Sequence, residues 1–183
     1  ETSARYDGSY YFAPDHRFGF FPSASIGWRI SEENFLKGRF NWLSNLKLRA
    51  SYGESGALAA DPFQYLSSYN LYSNSAVLNG KPTQGLSELL EPNKYITWEK
   101  ARKMDIGFDL GLLNNQISFS IDYFSEYRSN MLVKPQVTVP FEYGIGIAQE
   151  NKGKMKNRGI EFSLNASNQF TKDFSAGLQV NFT

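Results

Sequence analysis

The feature that most constrains this chain is strict alternation of apolar and polar side chains, repeated in segment after segment. Residues 116 to 123 put Ile117, Phe119, Ile121 and Tyr123 on one side and Gln116, Ser118, Ser120 and Asp122 on the other. A strand sorts that pattern onto two faces, whereas a helix would scramble it. Ile160, Phe162, Leu164 and Ala166 alternate in the same way with Glu161, Ser163, Asn165 and Ser167, and so do Ala176, Leu178, Val180 and Phe182 with Ser175, Gly177, Gln179 and Asn181. Upstream, the apolar sets Met104-Ile106-Phe108-Leu110, Leu46-Leu48-Ala50-Tyr52 and Ala24-Ile26-Trp28-Ile30 interleave with Lys103-Asp105-Gly107-Asp109, Lys47-Arg49-Ser51-Gly53 and Ser23-Ser25-Gly27-Arg29. These are six strands, and a weaker seventh runs through Ala4-Arg5-Tyr6-Asp7.

Both faces are constrained. In the six stretches the apolar face carries no charge and the polar face no large apolar side chain. An ordinary solvent-exposed sheet face tolerates scattered Leu or Val. This one is built from Ser, Gly, Asn and charged residues, several of them poor strand formers, as suits a wall around a watery interior. The aromatic content, 15 Phe, 11 Tyr and 3 Trp, is too high for a disordered chain. A net charge of +1 provides no field for nucleic acid or another polyanion. With no Cys, disulfides, thiolate metal sites and cysteine nucleophiles are excluded, and His16 alone cannot supply an imidazole metal cluster. Apolar runs such as Ala57-Leu58-Ala59-Ala60 fall far short of the roughly 18 to 20 residues of a spanning helix, which leaves barrel insertion open. The opening Glu1 to Asp7 has neither a basic start nor an apolar core, so no signal peptide is visible and the chain reads as a piece of a longer protein.

The connections alternate in length. Residues 9 to 19, 54 to 95 and 129 to 154 are long, the first of them modestly so, while Leu113-Asn114-Asn115-Gln116 is a tight hairpin with Asn placed for positive φ and 168 to 173 is short. Segment 31 to 44 is the imperfect member, with a helical turn expected near Ser31 to Leu36. In an antiparallel meander this places long loops on one rim and short turns on the other, as in bacterial outer-membrane barrels. Trp28, Tyr52, Tyr123 and Phe182 near strand ends, and Trp42, Trp98 and Phe170 just beyond strand cores, suit aromatic girdles at the two membrane interfaces. The fold expected is all-β: about seven strands of a transmembrane antiparallel up-and-down barrel. The competing reading is a soluble β-sandwich that binds carbohydrate through its Tyr-rich loop. A passive porin-like or adhesin barrel is a third.

Phe21-Pro22-Ser23-Ala24-Ser25-Ile26-Gly27-Trp28-Arg29-Ile30-Ser31-Glu32-Glu33 and Leu46-Lys47-Leu48-Arg49-Ala50-Ser51-Tyr52-Gly53 closely resemble the barrel of SusC/RagA-family TonB-dependent transporters of Bacteroidetes. Arg5-Tyr6-Asp7-Gly8-Ser9, Ile96-Thr97-Trp98-Glu99 with Asp105-Ile106-Gly107-Phe108-Asp109, and residues 151 to 161 agree in the family's order. The stretches around 57 to 90 and 131 to 148 do not take part. The resemblance implies that residues 1 to 183 are part of an outer-membrane barrel of about 22 strands around a plug domain. It also implies TonB-energised import of oligosaccharides or peptides, with a SusD-like surface lipoprotein over the mouth. Plug, TonB box and signal peptide would precede residue 1, and further strands would follow Thr183. No cofactor is implied.

On this reading Arg29, Lys47, Arg49, Lys103, Asp105, Asp109, Asp122 and Glu161 point into the lumen, as contacts for plug or substrate or simply as cross-strand pairs that solvate the wall. Tyr65, Tyr69, Tyr72 and Tyr95, set among Ser and Asn, are candidate ligand contacts in the longest loop, and a connection of that length is usually functional. The loop 129 to 154, with Pro135, Pro140 and Tyr143, reads similarly. Enzyme chemistry is not expected. His16 has no assignable triad partners, and Asp105 and Asp109 sit about 13 Å apart along a strand, too far for paired-carboxylate hydrolysis. Gly144-Ile145-Gly146 lacks the rest of a dinucleotide fingerprint, and the Asn-X-Ser/Thr matches at Asn165 and Asn181 lie within predicted strands.

Overall fold

A computed structural model of the chain describes residues 1–136 and 139–183. Val137 and Thr138, within the predicted 129 to 154 loop, lie outside the described residues. Ten strands follow in chain order: β1 (Thr2–Gly8), β2 (Phe18–Arg29), β3 (Leu43–Ala57), β4 (Ser68–Leu78), β5 (Lys81–Glu91), β6 (Glu99–Leu112), β7 (Ile117–Val133), β8 (Gly146–Ile147), β9 (Glu150–Gln169) and β10 (Ser175–Phe182). Seven of them form one sheet in the order β1-β2-β3-β6-β7-β9-β10, all neighbours antiparallel, with β1 and β10 at its open edges. All seven predicted strands are present in that meander.

The ladder keeps each side chain on the face its parity demands. Trp28, Leu48, Phe108, Ile121, Phe162 and Phe182 form one continuous cross-strand row, and the next polar row runs Gly27, Arg49, Gly107, Asp122, Glu161. Among the described residues nothing covers the apolar face: Ile26 is 72% exposed, Ile160 56% and Leu178 61%. That result tells against the sandwich, in which a second sheet would bury this face. The apolar band also steps diagonally across the strands. On β2 the last strand position of the band is Trp28, with Ile30 in the turn beyond it, whereas on β10, where Phe182 shares a cross-strand row with Trp28, the band continues through Val180, Leu178 and Ala176 to Phe174 in the turn before the strand. Strands inclined about 45° and about 4.8 Å apart shift a level boundary by about 1.4 residues per strand, or about seven over the five steps from β2 to β10. The staircase is what a flat membrane imposes on tilted strands.

Several strands outrun the alternation. The predicted segment 116–123 belongs to a strand reaching Val133, and 160–167 to one beginning at Glu150, so much of the expected 129 to 154 loop is ladder. About 10 residues cross a bilayer; the rest of these strands rises above it, where both faces are wet and nothing enforces apolar sorting. The expected loop 54 to 95 is corrected too. It contains the hairpin β4–β5, turned at Asn79 (φ 53°) and Gly80 (φ 73°), and β8 joins β5 in parallel to make a three-stranded sheet. On the opposite rim, Ile30–Glu32 is a single 3-10 turn, and Leu113, Asn114 and Asn115 all take positive φ in the tight hairpin.

The buried core is small and lies at the long-loop end, where Phe12, Phe21, Ala60, Ile96 and Trp98 pack together against the half-buried Leu132. Phe21 faces inward there, and Gly56 leaves the space that its ring fills. Trp98 is therefore no girdle residue. Its indole Nε1 donates to the Arg17 carbonyl at 2.9 Å, and its ring packs edge-on against Phe12 and Phe21.

Candidate functional site

The inner wall is organised around Arg49. From β3 its guanidinium reaches over Gly107 on β6, donating from Nε and Nη2 to Asp109 (2.8 and 3.0 Å) and from Nη2 to Asp122 on β7 (2.8 Å). A Cβ at Gly107 would collide with the Asp122 carboxylate and come within 2.8 Å of Arg49 Cζ, so glycine is what lets one side chain span three strands. The side chains of Arg49, Asp109 and Asp122 are 35%, 26% and 19% exposed, dry enough for their Coulomb energy to be only partly screened.

The other predicted lumen residues stand around this node. Lys47 lies opposite Asp109 and beside Arg29 in the ladder, Asp105 opposite Ser51, Lys103 opposite Gly53 and Glu126, and Glu161 opposite Asp122. Arg29, Lys47, Lys103, Asp105 and Glu161 form no ion pair among the described residues. The unpaired charges of the described wall are thus cations on β2 and β3 (Arg29, Lys47), one of each sign on β6 (Lys103, Asp105) and a carboxylate on β9 (Glu161). No group of three or more His, Asp or Glu among the described residues is placed to hold a metal ion.

The four predicted loop tyrosines are not brought together. Tyr65 joins an aromatic cluster with Phe63, Tyr10 and Tyr11, whose ring centroids lie 5.0 to 6.4 Å apart. Tyr69 and Tyr72 stand on β4, where the Tyr72 hydroxyl accepts from Ser87 at 3.4 Å. Tyr95 packs against His16 at 6.3 Å. Side-chain amides hold the loops that carry these rings. Asn151 Nδ2 donates to the carbonyls of Thr97 and Asn130, Asn93 Nδ2 to that of Gln149, and Gln64 exchanges two bonds with Gln149. Beside them a cleft of about 700 Å³ runs between Asp61–Ser68 and Gly146–Gln149, with Lys134 at its edge.

The family model described as TonB dependent receptor-like, beta-barrel, matches residues 1–183. The chain belongs to this family. The TonB-dependent receptor SusC of Bacteroides thetaiotaomicron is 38% identical over 181 residues, which are 98% of this chain and 18% of that protein. A TonB-dependent receptor of Formosa agariphila is 35% identical over 93% of the chain and 17% of its own length. The structure of the RagAB peptide importer in its closed-closed state superposes with a TM-score of 0.84 at 27% identity, covering 98% of this chain and 19% of that one. The chain therefore spans under a fifth of the length of each of these three relatives. As a TonB-dependent receptor barrel it is an outer-membrane protein.

Reasoning from sequence missed three members of the aromatic cluster in this receptor barrel. Tyr10 and Tyr11 lie in the shortest of the long connections, where length gives no hint of function, and Phe63 carries no polar atom to distinguish it from core. Phe63 also holds a positive φ of 63°, a conformation rarely taken by so bulky a residue, which is where strained loop positions gather around function. The Asn79-Gly80 pair was a readable hairpin signal inside the longest loop.

Proposed function

We propose that this chain forms part of the wall and the extracellular rim of an outer-membrane importer that takes up oligosaccharides or peptides with energy relayed by TonB. The observation that carries this reading is the two-sided sheet: a bare apolar outer face, and an inner face of hydroxyls, amides and charges centred on Arg49. A barrel of this family size is plugged, not open. The uncompensated charges Arg29, Lys47, Lys103, Asp105 and Glu161 suit contact with a plug domain, since each would gain a partner there. That distinguishes the reading from a passive pore, whose inner charges would stay in water.

The rim supplies the substrate contacts. Tyr65 with Tyr10, Tyr11 and Phe63 offers ring faces, and Tyr69, Tyr72 and Tyr95 add further rings with hydroxyls, chemistry that serves sugar rings and peptide side chains alike. A SusD-like surface lipoprotein closing the mouth fits the exposed apolar side chains of the β4–β5 hairpin, among them Leu71, Val77 and Leu86. The experiment is uptake by cells carrying the full-length protein, with labelled oligosaccharide and labelled peptide offered separately, with and without TonB. Import of one class that disappears without TonB, and that falls at least tenfold in a Tyr10→Ala/Tyr65→Ala variant still present at the surface, is expected. Uptake indifferent to TonB would overturn the proposal.

A further inference from the structure

The aromatic cluster of the rim is assembled from two separate connections. Tyr10 and Tyr11 lie in residues 9–17, between β1 and β2, where the Ser9 amide closes the base by donating to the Arg17 carbonyl at 3.0 Å. Phe63 and Tyr65 lie in residues 58–67, between β3 and β4. Among the described residues no hydrogen bond joins these two connections directly. Phe12 from the first and Ala60 from the second share the buried core, but an apolar contact has no direction and fixes no register.

Both halves are gripped from the start of β9. Asn151 holds the first: its Oδ1 accepts from the Thr97 amide at 3.0 Å and its Nδ2 donates to the Thr97 carbonyl at 2.9 Å. Thr97 Oγ1 then donates to the His16 carbonyl at 3.4 Å, and Trp98 Nε1 to that of Arg17, so residues 9–17 follow Thr97. Asn151 Nδ2 also donates to the carbonyl of Asn130 at 2.7 Å. Asn130, at φ 56°, pairs with neither neighbouring strand, and its carbonyl takes an outside donor. Gln149 holds the second half. Its Oε1 accepts from Gln64 Nε2 at 3.1 Å and its amide donates to Gln64 Oε1 at 3.4 Å, with Gln64 buried between Phe63 and Tyr65 in the chain. Asn93 braces this grip, its amide on the Gln64 carbonyl and its Nδ2 on that of Gln149. We infer that Gln149 and Asn151 are positioning residues, acting through Gln64 and Thr97 to set the register in which Tyr10 and Tyr11 meet Phe63, at 5.8 and 6.3 Å between ring centroids. That register decides whether the rings present one surface or two. Fixing it before binding spares the substrate the cost of ordering the rim, so the two amides act on affinity and not on the transport step. The functional part of this inference rests on the reading of these rings as substrate contacts; the positioning does not.

The test uses the full-length protein, freed of other cysteines, in nonionic detergent, with nitroxide pairs whose separations are read by double electron-electron resonance. A label at Asp15→Cys follows the first connection and one at Ser67→Cys the second, each against a reference at Lys156→Cys on β9. Asn151→Leu is expected to broaden the distance distribution of the 15–156 pair and leave the 67–156 pair as in wild type. Gln149→Leu, which precedes β9 and so spares the ladder, is expected to do the reverse. Broadening of both pairs in both variants is general loosening; that result, or no broadening in either, would overturn the inference. In uptake of the labelled oligosaccharide and peptide, each variant should raise the half-saturating concentration and leave the maximal rate unchanged. Gln149→Leu loses one hydrogen bond, for an expected rise of about fivefold, and Asn151→Leu, which loses more, should exceed it. Gln149→Glu keeps the acceptor for Gln64 and should restore both distance and uptake. The crossed distance pattern with unaltered uptake would uphold the positioning and overturn the reading of the rings as substrate contacts. Wild-type distances in both amide variants, with uptake still lost in Tyr10→Ala/Tyr65→Ala, would uphold that reading and overturn the positioning.

Discussion

Replacing Phe119 by Arg tests the direction in which the sheet faces. Phe119 lies on the outward face of β7 between Ile117 and Tyr123, opposite Leu110 on β6 and Leu164 on β9, with its ring edge-on to Phe162 at 4.8 Å. An arginine at the bilayer midplane of a barrel costs about 2 to 4 kcal/mol. Loss of the aromatic pair adds about 0.5 to 1.5 kcal/mol. The expected destabilisation is therefore about 3 to 5 kcal/mol, a large part of an ordinary folding free energy. Ser120→Arg, one residue on, places the same side chain on the inner face opposite Asp109 and Ser163, where it meets a carboxylate and water and should cost under about 1 kcal/mol. The assay is urea unfolding of the full-length protein in liposomes, followed by loss of the heat-resistant folded band on electrophoresis, alongside assembly in cells. Equal costs for the two variants would refute lipid contact, because no other environment in this fold separates residues 119 and 120 so sharply.

Three further outcomes follow from the geometry. Arg49→Met should destabilise the barrel by about 1 to 2 kcal/mol by leaving Asp109 and Asp122 facing each other without a cation, and Gly107→Val should do likewise by displacing the guanidinium; urea midpoints check both. Phe21→Ala should empty the core beneath the rim at a cost of about 3 to 5 kcal/mol, read as faster amide exchange at residues 9–17 and 92–98 while the membrane-level strands stay protected. The Tyr143 hydroxyl donates to Glu91 at 2.7 Å, a bond that raises its pKa above the ordinary tyrosine range. Because the folded value is the higher one, the bond's contribution is complete below the unfolded pKa and is lost as pH climbs through the folded value. Ultraviolet difference titration should show Glu91→Gln shifting one tyrosine to lower pH.

How far the structure could be read from sequence depends on what the surroundings demand of each residue. Between Trp28 and Tyr123 the bilayer penalises any polar side chain outward and the aqueous interior any large apolar one inward, so strand, face and register are all written in the alternation. Above Ile160 that double penalty ends. Arg158, Lys156 and Lys154 continue the same ladder as Phe162, yet with Asn157 and Gly159 between them they look like loop, because backbone hydrogen bonds hold the strand and neither face selects for polarity. Trp98 shows the converse limit: placed just past a strand core it has a girdle residue's address, but its partner Phe12 comes from a connection whose folding path no local pattern reveals. The lumen set illustrates both cases at once. Parity put all eight charged residues on the inner face, yet only the missing side chain of Gly107 shows that Arg49, and not the neighbouring Lys47, is the one that bridges three strands. What the alternation encodes is the solvent on each side of the wall; what joins residues across it is decided by which positions leave room.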